Sequence, residues 1–244
     1  MFNRIERLVN RQFLVTAAAL CLAAGAANAN SVTITVLGTD NPFYAGQTNG
    51  DGTGPATYAG LPLTAGDVLK FTVTGSVSYG GEPTDPPDGA CPACGFYQLS
   101  TSSLGTGISN VIGPVDALYG VFLSNADPTT LTAPTNLNFT GTGGIGLDFT
   151  DLSPDLQQVF FIGDGLDGNG AGNFQNFHVP TGATRLYFGM LDGSGWYNNT
   201  GSFSVTIDDP SLTGQGGSAP EPASMLLMGA GLALVGVVRR KRLA

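Results

Sequence analysis

The sequence predicts an all-β body, an antiparallel β-sandwich or jelly roll, set between two terminal segments of different character. Three observations lead there. Between residues 30 and 209 no run of ten residues repeats its apolar positions with the period of a helix. In place of helices there are short β-branched and aromatic runs, some alternating apolar and polar residues. The chain of 244 residues also holds 37 glycines and 15 prolines; with Asn and Asp they fall between those runs, where they mark turns.

In chain order the expected strands are Val32–Leu37, Val68–Ser78, Phe96–Ser100, Ala117–Leu123, Val159–Ile162, Phe174–Val179, Arg185–Met190 and Ser202–Ile207. Lys70-Phe71-Thr72-Val73-Thr74 and Ser202–Ile207 alternate strictly, so each has one buried and one solvated face. About eight such strands suit a sandwich or jelly roll. The body is expected over residues 30–210, followed by a Gly- and Ser-containing linker at 211–219.

Both ends read as addresses. Residues 1–29 have the layout of a signal peptide for signal peptidase. Arg4, Arg7 and Arg11 precede the apolar run Phe13 to Ala27, and Ala27-Asn28-Ala29 supplies small residues for cleavage. The alternative, a membrane anchor, needs a longer run. At the other end, Pro220-Glu221-Pro222 comes before an uncharged stretch, 223–238, and the cluster Arg239-Arg240-Lys241-Arg242. That stretch would make roughly 24 Å of helix, marginal for a hydrocarbon core of about 30 Å. The basic cluster favours the cytoplasmic side.

This order of Pro-Glu-Pro, single membrane helix and basic tail at 220–244 resembles the PEP-CTERM sorting signal, also called an ice-binding-protein C-terminal segment. The resemblance implies recognition by an exosortase-type sorting enzyme. It also implies transient anchoring in the inner membrane, then the cell surface or extracellular matrix, and an association with exopolysaccharide and biofilm. A plain tail anchor is the alternative, and it too leaves the body outside the cytoplasm.

Charge and cysteine usage agree with export. Seven of the nine Lys and Arg residues lie in the two ends, leaving Lys70 and Arg185 against sixteen acidic residues in between. Such a body repels phosphate backbones, so no nucleic-acid partner is expected. Once Cys21 is removed with the signal, Cys91 and Cys94 are left, spaced C-x-x-C. In an oxidising compartment a structural disulfide is expected of them, with free thiols as the alternative. A metal or redox role lacks further ligands and a βαβ context. The chain has one histidine, His178, and no G-x-S-x-G elbow, so an enzyme is not expected.

The segment Asp192 to Gly201 (DGSGWYNNTG) joins the last two expected strands and is rich in oxygen donors. Calcium takes six to eight oxygens from carboxylates, amides, backbone carbonyls and water. Asp192 offers charge, and Asn198 and Asn199 offer amide oxygens. An ordinary hairpin uses the same residue types, as does the turn Asp164 to Gly170, where Leu166 breaks the alternation of an EF-hand loop.

Leu186 to Asp192, followed by Asn198-Asn199-Thr200-Gly201-Ser202-Phe203, is similar to the closing hairpin of the bacterial calcium-dependent galactophilic lectins. Ala65-Gly66-Asp67-Val68, Ser78-Tyr79-Gly80, Pro87-Asp88-Gly89, Phe161-Ile162-Gly163 and Val179-Pro180 extend the similarity over about Val32 to Ile207. The resemblance implies calcium as cofactor, held by backbone carbonyls of Tyr79 and Trp196 and by side chains of Asp192, Asn198 and Asn199. Sugar hydroxyls of an extracellular glycan or exopolysaccharide would complete the shell, facing Asp88, Asp192, Trp196 and Asn198. The single tryptophan, Trp196, would stack on the sugar, or alternatively fold back onto the edge of the sandwich. The chain departs from the family where galactose binders carry a His and a Gln, since it has only Asp85-Pro86-Pro87-Asp88-Gly89 there. Residues 102–157 read as an insertion. The alternative is a structural matrix protein that kept the sandwich without a ligand site.

Overall fold

In the computed structural model, residues Asn30–Thr213 form one compact unit. The structure describes residues 31–48, 54–90, 97–99, 107–168, 170–209 and 212. The expected signal peptide, the pair Cys91 and Cys94, and the sorting residues Pro220, Glu221 and Pro222 all lie outside the described residues.

The unit is all β. Its strands are β1 (Ser31–Leu37), β2 (Asp40–Asn41), β3 (Gly54–Pro55), β4 (Thr57–Tyr58), β5 (Val68–Ser78), β6 (Tyr97–Leu99) and β7 (Val111–Gly113). There follow β8 (Leu118–Leu123), β9 (Leu137–Asn138), β10 (Asp151–Leu152), β11 (Val159–Phe161), β12 (Asn176–His178), β13 (Arg185–Met190) and β14 (Thr200–Asp208). Only short 3-10 turns interrupt them among the described residues. Each of the eight expected strands is present, with β5 and β13 at their expected limits.

Two sheets carry the fold. One has the order β1-β14-β5-β12-β10, the other β11-β8-β13-β4. The β5–β14 ladder is antiparallel over nine pairs, from Thr200 opposite Ser78 to Asp208 opposite Lys70. Its alternation is the one expected: Leu69, Phe71 and Val73 are buried, and Lys70, Thr72 and Thr74 are exposed. Gly75 (φ +105°) stands where β14 comes closest; a Cβ there would lie 2.4 Å from the Ser202 carbonyl oxygen. The antiparallel expectation holds for these ladders, whereas β2–β3, β7–β9 and β10–β12 pair in parallel.

Aromatic side chains join the sheets. Phe71 on β5 meets Phe188 on β13 edge-on at 5.8 Å, and Phe160 on β11 meets Phe177 on β12 at the same distance. Gly120 leaves space for the ring of Phe160, which a Cβ would strike at 2.5 Å. β8 is buried at all six positions, so it has no solvated face. Phe161, neighbour of Phe160 and so on the opposite face, packs on Tyr119 at 5.8 Å and Phe139 at 5.7 Å. Phe139 belongs to the segment expected as an insertion, and it covers the outer side of this sheet.

Candidate functional site

Three stretches far apart in sequence meet at one end of the β5–β14 ladder. β5 runs into Tyr79 and Gly80, β14 begins at Thr200 after the Asp192–Asn199 loop, and the turn Val115–Asp116 leads into β8. The Asp116 N–H bonds the Leu191 carbonyl at 2.7 Å, and the Leu191 N–H bonds the Ala117 carbonyl at 3.1 Å. That exchange holds Asp116 against the residue preceding Asp192. Asp85 pairs with Val77 through both backbone bonds, at 2.9 and 3.1 Å, which lays the Asp-Pro-Pro-Asp segment along the end of β5.

Asp192 and Asn199 are both buried. Asp192 Oδ1 accepts from the N–H groups of Gly193 and Ser194, while Oδ2 is buried without a hydrogen-bond partner. Asn199 donates to the Gly38 carbonyl at 3.0 Å, and its Oδ1 is likewise unpartnered. Burial pushes the Asp192 carboxyl above the ordinary range, countered in part by the Ser194 N–H, the neighbouring Asn199 and the Gly193 N–H. Asn198 is exposed. Its amide stands between two glycines, so that a Cβ on Gly80 or Gly195 would meet it at 3.3 or 3.4 Å. Tyr79 is 57% exposed and its N–H points at Asp116 Oδ2, 3.3 Å away. The loop residues and Tyr79, all expected as ligands, are therefore brought to one place.

Two expectations for the sugar-facing residues are corrected. Trp196 is 1% exposed; its Nε1–H donates to the Met190 carbonyl at 2.8 Å and its ring lies edge-on to Phe43. The ring is a core element and offers no stacking face, although its backbone carbonyl, which accepts from the Asn199 N–H at 3.1 Å, stays in the loop. Successive residues of the 3-10 turn Trp196–Asn198 point different ways, and it is Tyr197, 69% exposed, that faces solvent. Asp88 turns toward another part of the molecule. Its Oδ1 accepts the Asp164 N–H at 2.9 Å, because Gly163 lets the backbone approach where a Cβ would lie 2.3 Å from that oxygen. Asp88 borders a cavity of about 510 Å³ with Phe139, Ile145, Asp148, Phe161 and Leu166 among its walls. Burial, reinforced by the charges of Asp164 and Asp148, pushes its carboxyl up to about 6.

The structure adds a residue that sequence reasoning missed. Asp116 is fully buried and Oδ1 has no hydrogen-bond partner. Burial first, then the adjoining Asp85 and the charge of Asp192, push its carboxyl up to about 8 against the opposing Tyr79 N–H. No local signal could have found it, because Asp116 reaches the loop only through the pairing of its turn with Leu191. No group of three or more His, Cys, Asp or Glu side chains forms a metal centre among the described residues; two carboxylates and the amides of Asn198 and Asn199 make up the set here. Hard oxygen donors with unmet hydrogen-bonding capacity fit a calcium-type cation. The turn Asp164–Gly170 is instead satisfied from within, Asp164 taking the N–H groups of Leu166 and Gly170. His178 is tied to Asp151 at 3.1 Å on the surface.

Residues 218–242 match the family model of the PEP-CTERM protein-sorting motif, the motif that Pro220-Glu221-Pro222 and the basic cluster predicted. Among solved structures, the chain is similar to one described as "EclA N-terminal domain; PllA-like lectin", at 15% identity and a TM-score of 0.39, over 74% of this chain and 98% of that one. No curated protein matches the sequence. Among the described residues no helix is long and apolar enough to cross a membrane.

Proposed function

We propose that the chain is exported, processed by an exosortase through its PEP-CTERM segment, and displayed at the cell surface or in the matrix as a calcium-dependent carbohydrate-binding protein. The sorting motif supports the first part. For the second, the observation with most weight is the pair of buried oxygens without partners, Asp192 Oδ2 and Asn199 Oδ1, in the loop where the lectin resemblance sets the ion. Asp192, Asn198 and Asn199 would hold calcium with the carbonyls of Tyr79 and Trp196. When bound, the ion would offer coordination positions to two hydroxyls of an extracellular glycan. Tyr79 and Tyr197, both exposed beside Asn198, take the role of apolar platform in place of Trp196.

The experiment is thermal unfolding of the full chain in mild detergent, in chelator and in millimolar calcium, beside Asp192→Ala. At a hundredfold excess over Kd, calcium stabilises the folded state by about 2.7 kcal/mol, or roughly 5–10 °C for a domain of this size. A rise in wild type that the variant abolishes supports the site, and a glycan array in calcium then identifies the sugar. No rise in wild type overturns the cation site. A structural matrix protein without a ligand is the second reading, favoured by the missing His and Gln and by the buried Trp196 ring. No calcium shift together with no binding to any glycan would decide for it.

A further inference from the structure

We propose that Asp116 is a direct ligand of the bound cation, a second carboxylate beside Asp192 that the ligand set implied by the lectin resemblance does not contain. The inference rests on the cation reading above and deepens it.

The Asp116 turn is clamped to Leu191 by the exchanged backbone bonds, so its carboxylate stands next to the Asp192 loop. Oδ2 receives the Tyr79 N–H at 3.3 Å, longer than the 2.7–2.9 Å usual when a carboxylate is well matched, and the other side chain within hydrogen-bonding reach of this carboxyl is a second acid, Asp85. Oδ1 receives nothing and the residue is fully buried. A buried charge in this state costs several kcal/mol unless it is neutralised or paired. The body's own cations are engaged elsewhere. Arg185 donates to the carbonyls of Ser124 and Ala126, and Lys70 stands over the ring of Phe174. Asp85 adds a further negative charge beside Asp116. A divalent cation would satisfy Asp116 Oδ1, Asp192 Oδ2 and Asn199 Oδ1 together. With Asn198 and two backbone carbonyls these come to six oxygens, which leaves calcium's remaining positions for an exogenous ligand. A second carboxylate also tightens the site, because calcium affinity follows the number of charged ligands.

The test is terbium luminescence excited through Trp196, the single tryptophan, with calcium as competitor, on the full chain in detergent. Wild type is compared with Asp116→Asn and Asp192→Asn, with circular dichroism to confirm folding. Asp116→Asn should lower calcium affinity at least tenfold while its melting temperature in chelator holds or rises, since Asn keeps the shape of the side chain and has no charge to bury. Unchanged affinity in Asp116→Asn, with binding lost in Asp192→Asn, would overturn the inference and spare the cation reading; no binding by wild type would overturn both. Should Asp116→Asn not fold, a crystal of calcium-loaded wild type decides. An ion within about 2.3–2.6 Å of Asp116 Oδ1 supports the assignment, and one bound only to the Asp192 loop overturns it.

Discussion

Asp88→Asn isolates the cost of a single buried carboxyl. Asn keeps Oδ1 to accept the Asp164 N–H and keeps the volume, so the variant removes the titration and little else. The folded state holds the Asp88 proton up to about pH 6, whereas the unfolded chain releases it near 3.8. Folding therefore takes up a proton between those values, and stability falls as pH rises through the window. The favourable contribution is complete below pH 3.8 and lost above pH 6. Two pH units at about 1.4 kcal/mol each make about 3 kcal/mol. The assay is urea unfolding of wild type and Asp88→Asn from pH 3.5 to 7, in chelator so that no cation contributes. The stability difference between the two proteins should move by about 3 kcal/mol across that range, in favour of the variant at the high end, with most of the change between pH 4 and 6. Parallel profiles would refute the argument, because every other carboxyl is common to both proteins.

Gly75→Ala should lower stability by at least about 2 kcal/mol, since φ +105° and the Ser202 carbonyl together leave no place for a Cβ; a loss below about 0.5 kcal/mol in urea would show that the ladder yields there. Trp196→Phe deletes the donor to the Met190 carbonyl and should cost about 1–3 kcal/mol. In wild type the emission of Trp196 should be blue-shifted and resistant to aqueous quenchers, and a quencher-accessible indole would reverse the correction made to its role.

The strands that could be read from the sequence are those whose own alternation decides their faces. β5 and β14 are of this kind, because Leu69, Phe71, Val73 and Phe203, Val205, Ile207 bury on one side whichever strand lies next to them. Two-residue strands such as Asp40–Asn41 and Asp151–Leu152 carry no such period and exist through their partners. β8 was legible as a strand, but not its double burial, which depends on Phe139 arriving from a distant segment. At the site, Asp192, Asn198 and Asn199 stand in one short loop, so local sequence locates them together. Asp116 reaches them only through the pairing of its turn with Leu191, and nothing local announces it. Trp196 and Tyr197 show a different limit: adjacent aromatics in one turn share the same composition signal, and only the packing against Phe43 decides which ring is buried.

The position of β14 has a mechanical consequence. It is the last strand of the described body, it lies between β1 and β5, and it runs from the candidate site at Thr200 to Asp208, from which the chain continues to the sorting segment. A pull between a glycan held at the site and an anchor on the tail would act along the length of this strand. Both flanking ladders would then be loaded in shear, with their hydrogen bonds sharing the force instead of opening one after another. Were the protein tethered at one end and gripped at the other, as the proposed function implies, this would be the loading direction a β-sheet resists best.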